Sequence, residues 1–184
     1  MVEFYHMKVI RSNNVLDKDN QQERLKTIGW IVGFVDGEGT FSVSLIRNNT
    51  TKTGWQVFPE FVVTQGAKSK KVLEDIERFF RCGNIFINRR KDNHREPLYR
   101  YCVRSVKGLT EIIIPFFQQY PLHTAKQKDF KLFSKIIGMM NRKIHFTFEG
   151  IVKIAKLIEK MNRKVPSKFL ESSETIRQTE HLLK

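Results

Sequence analysis

The stretch GFVDGEGTFSVS, residues 33 to 44, marks the point where the chain changes from a helical to an extended pattern. Before it, apolar residues recur at helical spacing: Leu25, Ile28, Ile31, Val32 and Val35. After it, Phe41, Val43 and Leu45 alternate with more polar residues, which predicts a strand with one buried face. Two carboxylates, Asp36 and Glu38, stand between glycines at the change, where the helix is expected to end.

Sequence patterns before and after this helix-to-strand change predict the other helices and strands. Asn20, followed three positions later by Glu23, predicts a helix start, so we expect residues 1–19 to form an extension and residues 20–184 a single domain. A strand at 55–65, a helix over 69–80 and a hairpin with a basic tip follow. Three further helices are predicted at 107–120, 125–143 and 148–163. The order predicts an α+β fold whose antiparallel sheet is covered on one face.

Composition points to a polyanionic partner. The chain has 184 residues, with 33 lysines and arginines against 19 acids, a formal net charge of +14. Charge of this kind also serves solubility, and it does not choose between DNA and RNA. Cys82 and Cys102 lack metal-site spacing, and no signal peptide or long apolar run is present. We therefore expect an intracellular, soluble protein that makes no use of a membrane.

Gly29, Gly33 and Gly37 lie four residues apart and share one face of the first helix. Glycine inside a helix is destabilising, so the helix should gain close packing in return. One alternative is a neighbouring helix of the same chain. The other is the same helix of a second copy, which would bring Glu38 beside its counterpart, where two carboxylates need a cation between them. Mg²⁺ prefers oxygen ligands, and magnesium beside a phosphate supports phosphodiester hydrolysis. Taken alone, however, Asp36 and Glu38 also fit an ordinary polar turn after a helix.

The segment IVGFVDGEG, Ile31 to Gly39, resembles the signature of the LAGLIDADG homing endonucleases. FVVTQ at 61–65, LHTAKQK at 122–128 and SSETIR at 172–177 resemble the single-motif branch of that family. The resemblance implies an antiparallel sheet saddle with helices on one face, in an αββαββα core. One motif in one chain implies a homodimer that binds a long, near-palindromic DNA site.

The resemblance also implies roles for particular residues. Glu38 would bind metal with the backbone carbonyl of Gly37, and two or more Mg²⁺ ions would be shared at the dimer centre. Gln65 would orient water or metal, and Lys126 would stabilise charge in the transition state. Asp36 would brace the paired helices, whose interface would comprise Gly29, Gly33, Asp36 and Gly37.

Strand alternation selects candidates for DNA contact. Side chains that can read base edges are expected on one sheet face: Ser42, Ser44, Gln56, Asn88, Arg90, Arg100 and Arg104. Lys68 and Lys70 are candidates for phosphate contact. Three apolar residues, Phe58, Val62 and Cys102, fall on the same face, where they would contact thymine methyl groups unless the assumed register is wrong by one residue.

Three functions remain open at this stage. The set of Glu38, Gln65 and Lys126 favours a metal-dependent DNA endonuclease. The resemblance implies that such an enzyme leaves short 3′ overhangs and promotes intron mobility. LAGLIDADG proteins can also be RNA maturases that bind intron RNA, and the basic charge suits that partner equally. A catalytically silent DNA-binding module is the third possibility. The resemblance implies an organellar setting, mitochondrion or chloroplast, or a microbial cytoplasm.

Overall fold

The computed structural model of the chain describes residues 2–88, 97–161 and 169, with side chains from residue 20 onward. The helices are α1 Val2–Glu38, α2 Lys70–Phe80, α3 Val106–Gly108, α4 Ile114–Gln119, α5 Lys126–Asn141 and α6 Phe148–Ile158. The strands are β1 Gly39–Arg47, β2 Trp55–Gly66, β3 Asn84–Asn88 and β4 Leu98–Val103. The order of these elements confirms the predicted α+β architecture.

The four strands form one antiparallel sheet in the order β1-β2-β4-β3. The register is fixed by pairs such as Gly39 with Val63 and Phe61 with Val103. Helices α2 and α5 contact the sheet, and α4 lies against it through Phe117. Among the described residues, α2, α4 and α5 lie on the face that carries Phe41 and Phe61. The opposite face is the one predicted to meet a partner.

An aromatic cluster fills the layer between sheet and helices. The ring of Phe41 lies 5.0 Å from Phe61, 5.2 Å from Phe130, 5.4 Å from Phe133 and 5.5 Å from Phe117, measured between centroids. All five side chains are buried. Because Phe41 stands three residues after the end of α1, this cluster fixes the end of the helix against the sheet.

The predicted helix start at Asn20 is wrong, because α1 runs without interruption from Val2 to Glu38. Residues 2–28 contain neither glycine nor proline, and extending a helix is easier than nucleating one. A capping residue marks a helix start only where the preceding residues are not helical. The division into an extension of residues 1–19 and a domain of residues 20–184 stays a prediction.

The segment predicted as one helix over 107–120 is divided. A π-helical turn, Leu109–Ile113, separates α3 from α4, and Pro115 lies in the first turn of α4. Proline lacks an N–H, so it fits where the helical hydrogen-bond pattern changes.

The basic hairpin tip, Arg90 and the SSETIR segment lie outside the described residues. Within the described part of the chain, no helix has the length and apolar character needed to cross a membrane.

Candidate active site and nucleic-acid interface

Lys126, the first residue of α5, reaches the end of α1. Its Nζ donates hydrogen bonds to the carbonyl oxygens of Val35, at 2.9 Å, and Gly37, at 3.1 Å. The last carbonyls of a helix have no partner within the helix and carry its negative dipole end, so a cation is favoured there. The structure thus brings together Lys126 and the segment that carries Glu38.

Asp36 anchors the loop that leads into α5. Its carboxylate accepts hydrogen bonds from the backbone N–H of His123, at 2.7 Å, from the backbone N–H of Thr124, at 3.1 and 3.2 Å, and from the Thr124 hydroxyl, at 2.6 Å. Burial alone would raise the pKa of Asp36, but the bonds from Thr124 and His123 outweigh it, so the pKa is lowered. The ionised carboxylate therefore holds the loop, and with it Lys126, against α1. The predicted role of Asp36 in bracing paired helices stays a prediction.

The environment of Lys126 is partly dry. Burial lowers the pKa of its ammonium group, and the negative charges of Asp36, Glu38 and Asp129 oppose that shift. A cation in such surroundings interacts more strongly with a nearby anion than one in bulk water. The arrangement suits an ammonium group that meets a charged oxygen.

Glu38 ends α1 with its side chain exposed. Carboxylate and carbonyl oxygens are the ligands that Mg²⁺ prefers, so Glu38 and Gly37 fit the predicted metal. Across residues 20–88 and 97–161, however, no three His, Cys, Asp or Glu side chains come close enough together to hold an ion. The metal-binding role of Glu38 and Gly37 stays a prediction.

Gln65 lies near the end of β2, at the end of the sheet where α1 leads into β1. Val63 pairs with Gly39, the first residue after α1, and Gln65 follows two residues later on the same face of the strand. The side chain is half-buried. Its predicted role near the scissile phosphate stays a prediction.

The glycine face of α1 is open. A Cβ atom added at Gly29, Gly33 or Gly37 would meet no other atom within 4 Å. Packing against another helix of the chain is therefore wrong as an explanation for these glycines, as far as the described residues extend. An apolar groove runs beside them, lined by Leu25, Ile28, Val32, Tyr120 and Pro121 among others.

The strand register places five of the predicted sheet residues on one face, and their DNA contacts stay predictions: Ser42, Ser44, Gln56, Asn88 and Arg100. Ser42 pairs with Glu60 and Ser44 with Phe58. Thr64 pairs with Arg100, and β4 places Cys102 and Arg104 on the face of Arg100. Phe58, Val62 and Cys102 do lie on this face, so the register predicted from alternation is correct. We name it the open sheet face. Its residues include Ser42, Ser44, Gln56, Phe58, Glu60, Val62, Thr64, Phe86, Asn88, Arg100, Cys102 and Arg104.

Sequence reasoning missed an acid at the centre of the open sheet face. Glu60 is buried and accepts from Arg100 Nη2 at 2.6 Å and from Arg104 Nε at 2.5 Å. The bond to Glu60 raises the pKa of Arg104. Alternation from Phe58 to Val62 would have placed Glu60 on this face, but its pairing depends on residues 40 and more positions away.

The two predicted phosphate contacts lie at the start of α2. Lys68 is exposed in a short 3₁₀ turn before that helix. Lys70 forms an ion pair with Glu74 at 2.7 Å and lies over the ring of Tyr99. Such exposed pairs are weak and exchange readily, so Lys70 can still meet a phosphate. The DNA contacts of both lysines stay predictions.

The fold and the site define a class of α+β protein. Its first helix ends in an exposed carboxylate, Glu38, next to an antiparallel sheet whose open face carries arginines. The family model described as LAGLIDADG endonuclease matches residues 31–137. The chain belongs to the LAGLIDADG endonuclease family, as its motif indicates.

Individual relatives agree with this assignment. The chain is 31% identical to a probable intron-encoded endonuclease 3 of Neurospora crassa over 75% of this chain and 25% of that protein. It thus spans about a quarter of the length of that curated relative. The crystal structure of the homing endonuclease I-TnaI matches with 37% identity and a TM-score of 0.66, over 85% of this chain and 97% of the other. I-SmaMI bound to cleaved DNA matches with 35% identity and a TM-score of 0.68, over 82% of this chain and 47% of the other.

Proposed function

We propose that this chain is a site-specific, divalent-metal-dependent DNA endonuclease that acts as a homodimer on a long, near-palindromic site. One observation carries the proposal: Lys126 Nζ lies 3.1 Å from the Gly37 carbonyl, beside the exposed carboxylate of Glu38, at the edge of a basic sheet. Hydrolysis of a phosphodiester needs a cation for the developing charge and an activated water, and this site offers groups for both.

The residues of the site have distinct tasks. An ammonium group has three N–H donors, and two of those on Lys126 are bonded to Val35 and Gly37. The third can meet a non-bridging phosphate oxygen as negative charge develops on it. Asp36 keeps the lysine in place through the loop at His123 and Thr124. Gln65, at the same edge, would orient the attacking water.

Glu38 and Gly37 would hold magnesium, two or more ions being shared at the dimer centre. When bound, Mg²⁺ supplies Lewis-acid stabilisation of the phosphate and a more acidic water. The carboxylate of Glu38 is available for this role because it is exposed at the end of α1. Since Glu38 belongs to no group of three or more possible metal-binding side chains among the described residues, a second copy is proposed as the source of the matching carboxylate.

The dimer is proposed to form through the glycine face of α1. The open space around Gly29, Gly33 and Gly37 lets another helix approach closely, and no packing within the described chain uses it. A two-fold axis along this face would place the two Glu38 residues side by side. Each copy would then present its open sheet face to one half of the DNA site.

The partner is proposed to be double-stranded DNA, because the matched I-SmaMI structure is of an enzyme bound to cleaved DNA. Cleavage is expected to leave short 3′ overhangs and to promote the mobility of an intron that encodes the chain. The name of the Neurospora crassa relative, an intron-encoded endonuclease, supports that setting. An organelle or a microbial cytoplasm is the corresponding location.

The test is to incubate the protein with intron-free genomic DNA from related organisms and Mg²⁺, and to sequence the new ends. We expect paired ends at a recurrent site with a fixed short 3′ overhang, absent with EDTA and with Glu38→Gln. Glu149→Gln, which removes an exposed acid of α6 that forms an ion pair with Lys153, is the matched control and should cut normally.

Two results would contradict the proposal. Wild-type cutting rates in Glu38→Gln would show that the assigned site is wrong. Failure to cut a duplex that the protein binds specifically would exclude the nuclease, and binding to intron RNA would then be the property to measure.

A further inference from the structure

Glu60 is the one charged residue that is buried in the part of the chain with described side chains. It stands in β2, between Phe58 and Val62, on the open sheet face. The chain is strongly basic, and this face carries arginines. An acid at its centre calls for a physical explanation.

Each carboxylate oxygen of Glu60 binds one arginine. Arg100 donates from Nη2 to Oε1 at 2.6 Å, and Arg104 donates from Nε to Oε2 at 2.5 Å. The arginine side chains remain 31% and 42% exposed, whereas that of Glu60 is 11% exposed. The acid therefore lies beneath two guanidinium groups that still reach solvent.

Arg104 is also held from its sides. Its guanidinium carbon lies 5.6 Å from the ring centre of Phe58 and 5.2 Å from that of Phe86. An arginine between aromatic rings and a carboxylate loses much of its rotational freedom before any ligand arrives. Because Nε is used by Glu60, the two Nη groups are the donors that remain.

Stability alone does not explain the arrangement. A buried ion pair is weak evidence for stability, because desolvation offsets the attraction. Glu60 also cancels one positive charge on the face, which weakens the general attraction to phosphates. Glu60 therefore lowers general affinity for DNA. What it provides in return is a fixed position for the arginine N–H donors, which favours selectivity between bases.

We infer that Glu60 is a positioning residue for DNA specificity, which holds Arg104 so that its two Nη groups meet the O6 and N7 atoms of a guanine. This inference rests on the proposed DNA-binding function. Guanine is the base that offers two acceptors side by side in the major groove, matching the two parallel N–H donors of an arginine. Each half of the target should therefore contain one guanine that depends on Glu60.

The experiment selects bound sequences from a randomised duplex DNA library, without divalent metal so that no strand is cut. Wild type, Glu60→Gln, Arg104→Lys and the double variant are compared. Glu149→Gln is the control, because it also removes one negative charge but at a site away from the open sheet face. Thermal melting of every variant reports whether it is folded.

Wild type should select a motif with a guanine in each half-site. Glu60→Gln should lose preference for that guanine by about tenfold, the scale of one bidentate contact, while other positions keep theirs. Arg104→Lys should lose the same position, and the double variant should lose no more than either single variant. The control should select the wild-type motif.

Two outcomes would overturn the inference while leaving the proposed function intact. One is a Glu60→Gln variant that keeps full preference at every position. The other is an even loss across all positions, which a purely structural role of Glu60 would produce. A wild-type protein that selects no motif would overturn site-specific DNA binding and the inference together.

Discussion

The ammonium of Lys126 and the carbonyl oxygen of Gly37 lie 3.1 Å apart, although 89 positions separate the two residues in the chain. The contact joins the start of α5 to the end of the motif helix. It places a partly buried cation beside Glu38, and the same carbonyl is the predicted metal ligand. The catalytic hypothesis therefore depends on how the loop before α5 is held.

Replacing Lys126 by methionine should lower the single-turnover cleavage rate by about 10² to 10³, the usual loss when one group that stabilises transition-state charge is removed. DNA binding, measured by fluorescence anisotropy, should change much less, since many other contacts remain. Lys128→Met, an exposed lysine of the same helix, is the matched control. Equal losses in both variants would mean that general charge, and not the position of Lys126, matters.

Replacing Asp36 by asparagine should destabilise the fold by about 1–2 kcal/mol, because hydrogen bonds to a charged group are worth about that much or slightly more. Cleavage should fall as well, since the loop at His123 and Thr124 no longer holds Lys126. Thr124→Ala removes only the side-chain donor and should have a smaller effect on both. Urea denaturation gives the stability, and an unchanged midpoint for Asp36→Asn would refute the anchoring role.

The same carboxylate predicts a pH dependence with a definite sign. Hydrogen bonds from Thr124 and His123 lower the pKa of Asp36 in the folded protein relative to the unfolded chain. Its stabilisation is therefore present above the unfolded pKa of about 3.9 and is lost as the pH falls through the lower folded pKa. Acid titrations of unfolding should show a larger loss in wild type than in Asp36→Asn.

Replacing Gly33 by leucine should abolish the dimer while leaving each copy folded. The chain itself has room for a side chain at this position, because an added Cβ meets no atom within 4 Å. Light scattering should report a monomer, and circular dichroism should report unchanged helix content. Thr27→Leu, on another side of α1, should remain dimeric. A folded, dimeric Gly33→Leu protein would exclude the glycine face as the interface.

His145 predicts a loss of stability in mildly acidic solution. Burial lowers the pKa of its imidazole, and Nδ1 has no hydrogen-bond partner among the described residues. Protonation therefore favours the unfolded chain, and stability should fall as the pH drops below the ordinary histidine value of about 6.5. Denaturation at pH 7.5 and 5.5 should show a smaller difference for His145→Leu than for wild type. The exposed His123, changed to glutamine, is the control.

Local periodicity was sufficient for the faces of β1. Alternation placed Ser42 and Ser44 opposite the buried Phe41 and Val43, because successive strand residues point to opposite sides. The alternation of β2 is too weak to assign its faces, which follow from its pairing with β1. The same reasoning failed at Asn20, where a capping signature lies inside a continuous helix. Short capping patterns are compatible with helix interiors, so only the preceding backbone decides whether they act.

The sequence by itself determined the helix-to-strand change at residues 33–44, the antiparallel sheet, the motif and the family, since each depends on local spacing or on residue identity. Only the tertiary structure decided that Asp36 holds residues 123 and 124, that Lys126 reaches Gly37, and that Glu60 binds two arginines. These contacts join residues 40 to 89 positions apart. Their geometry follows from how helices pack on the sheet, which no local period encodes.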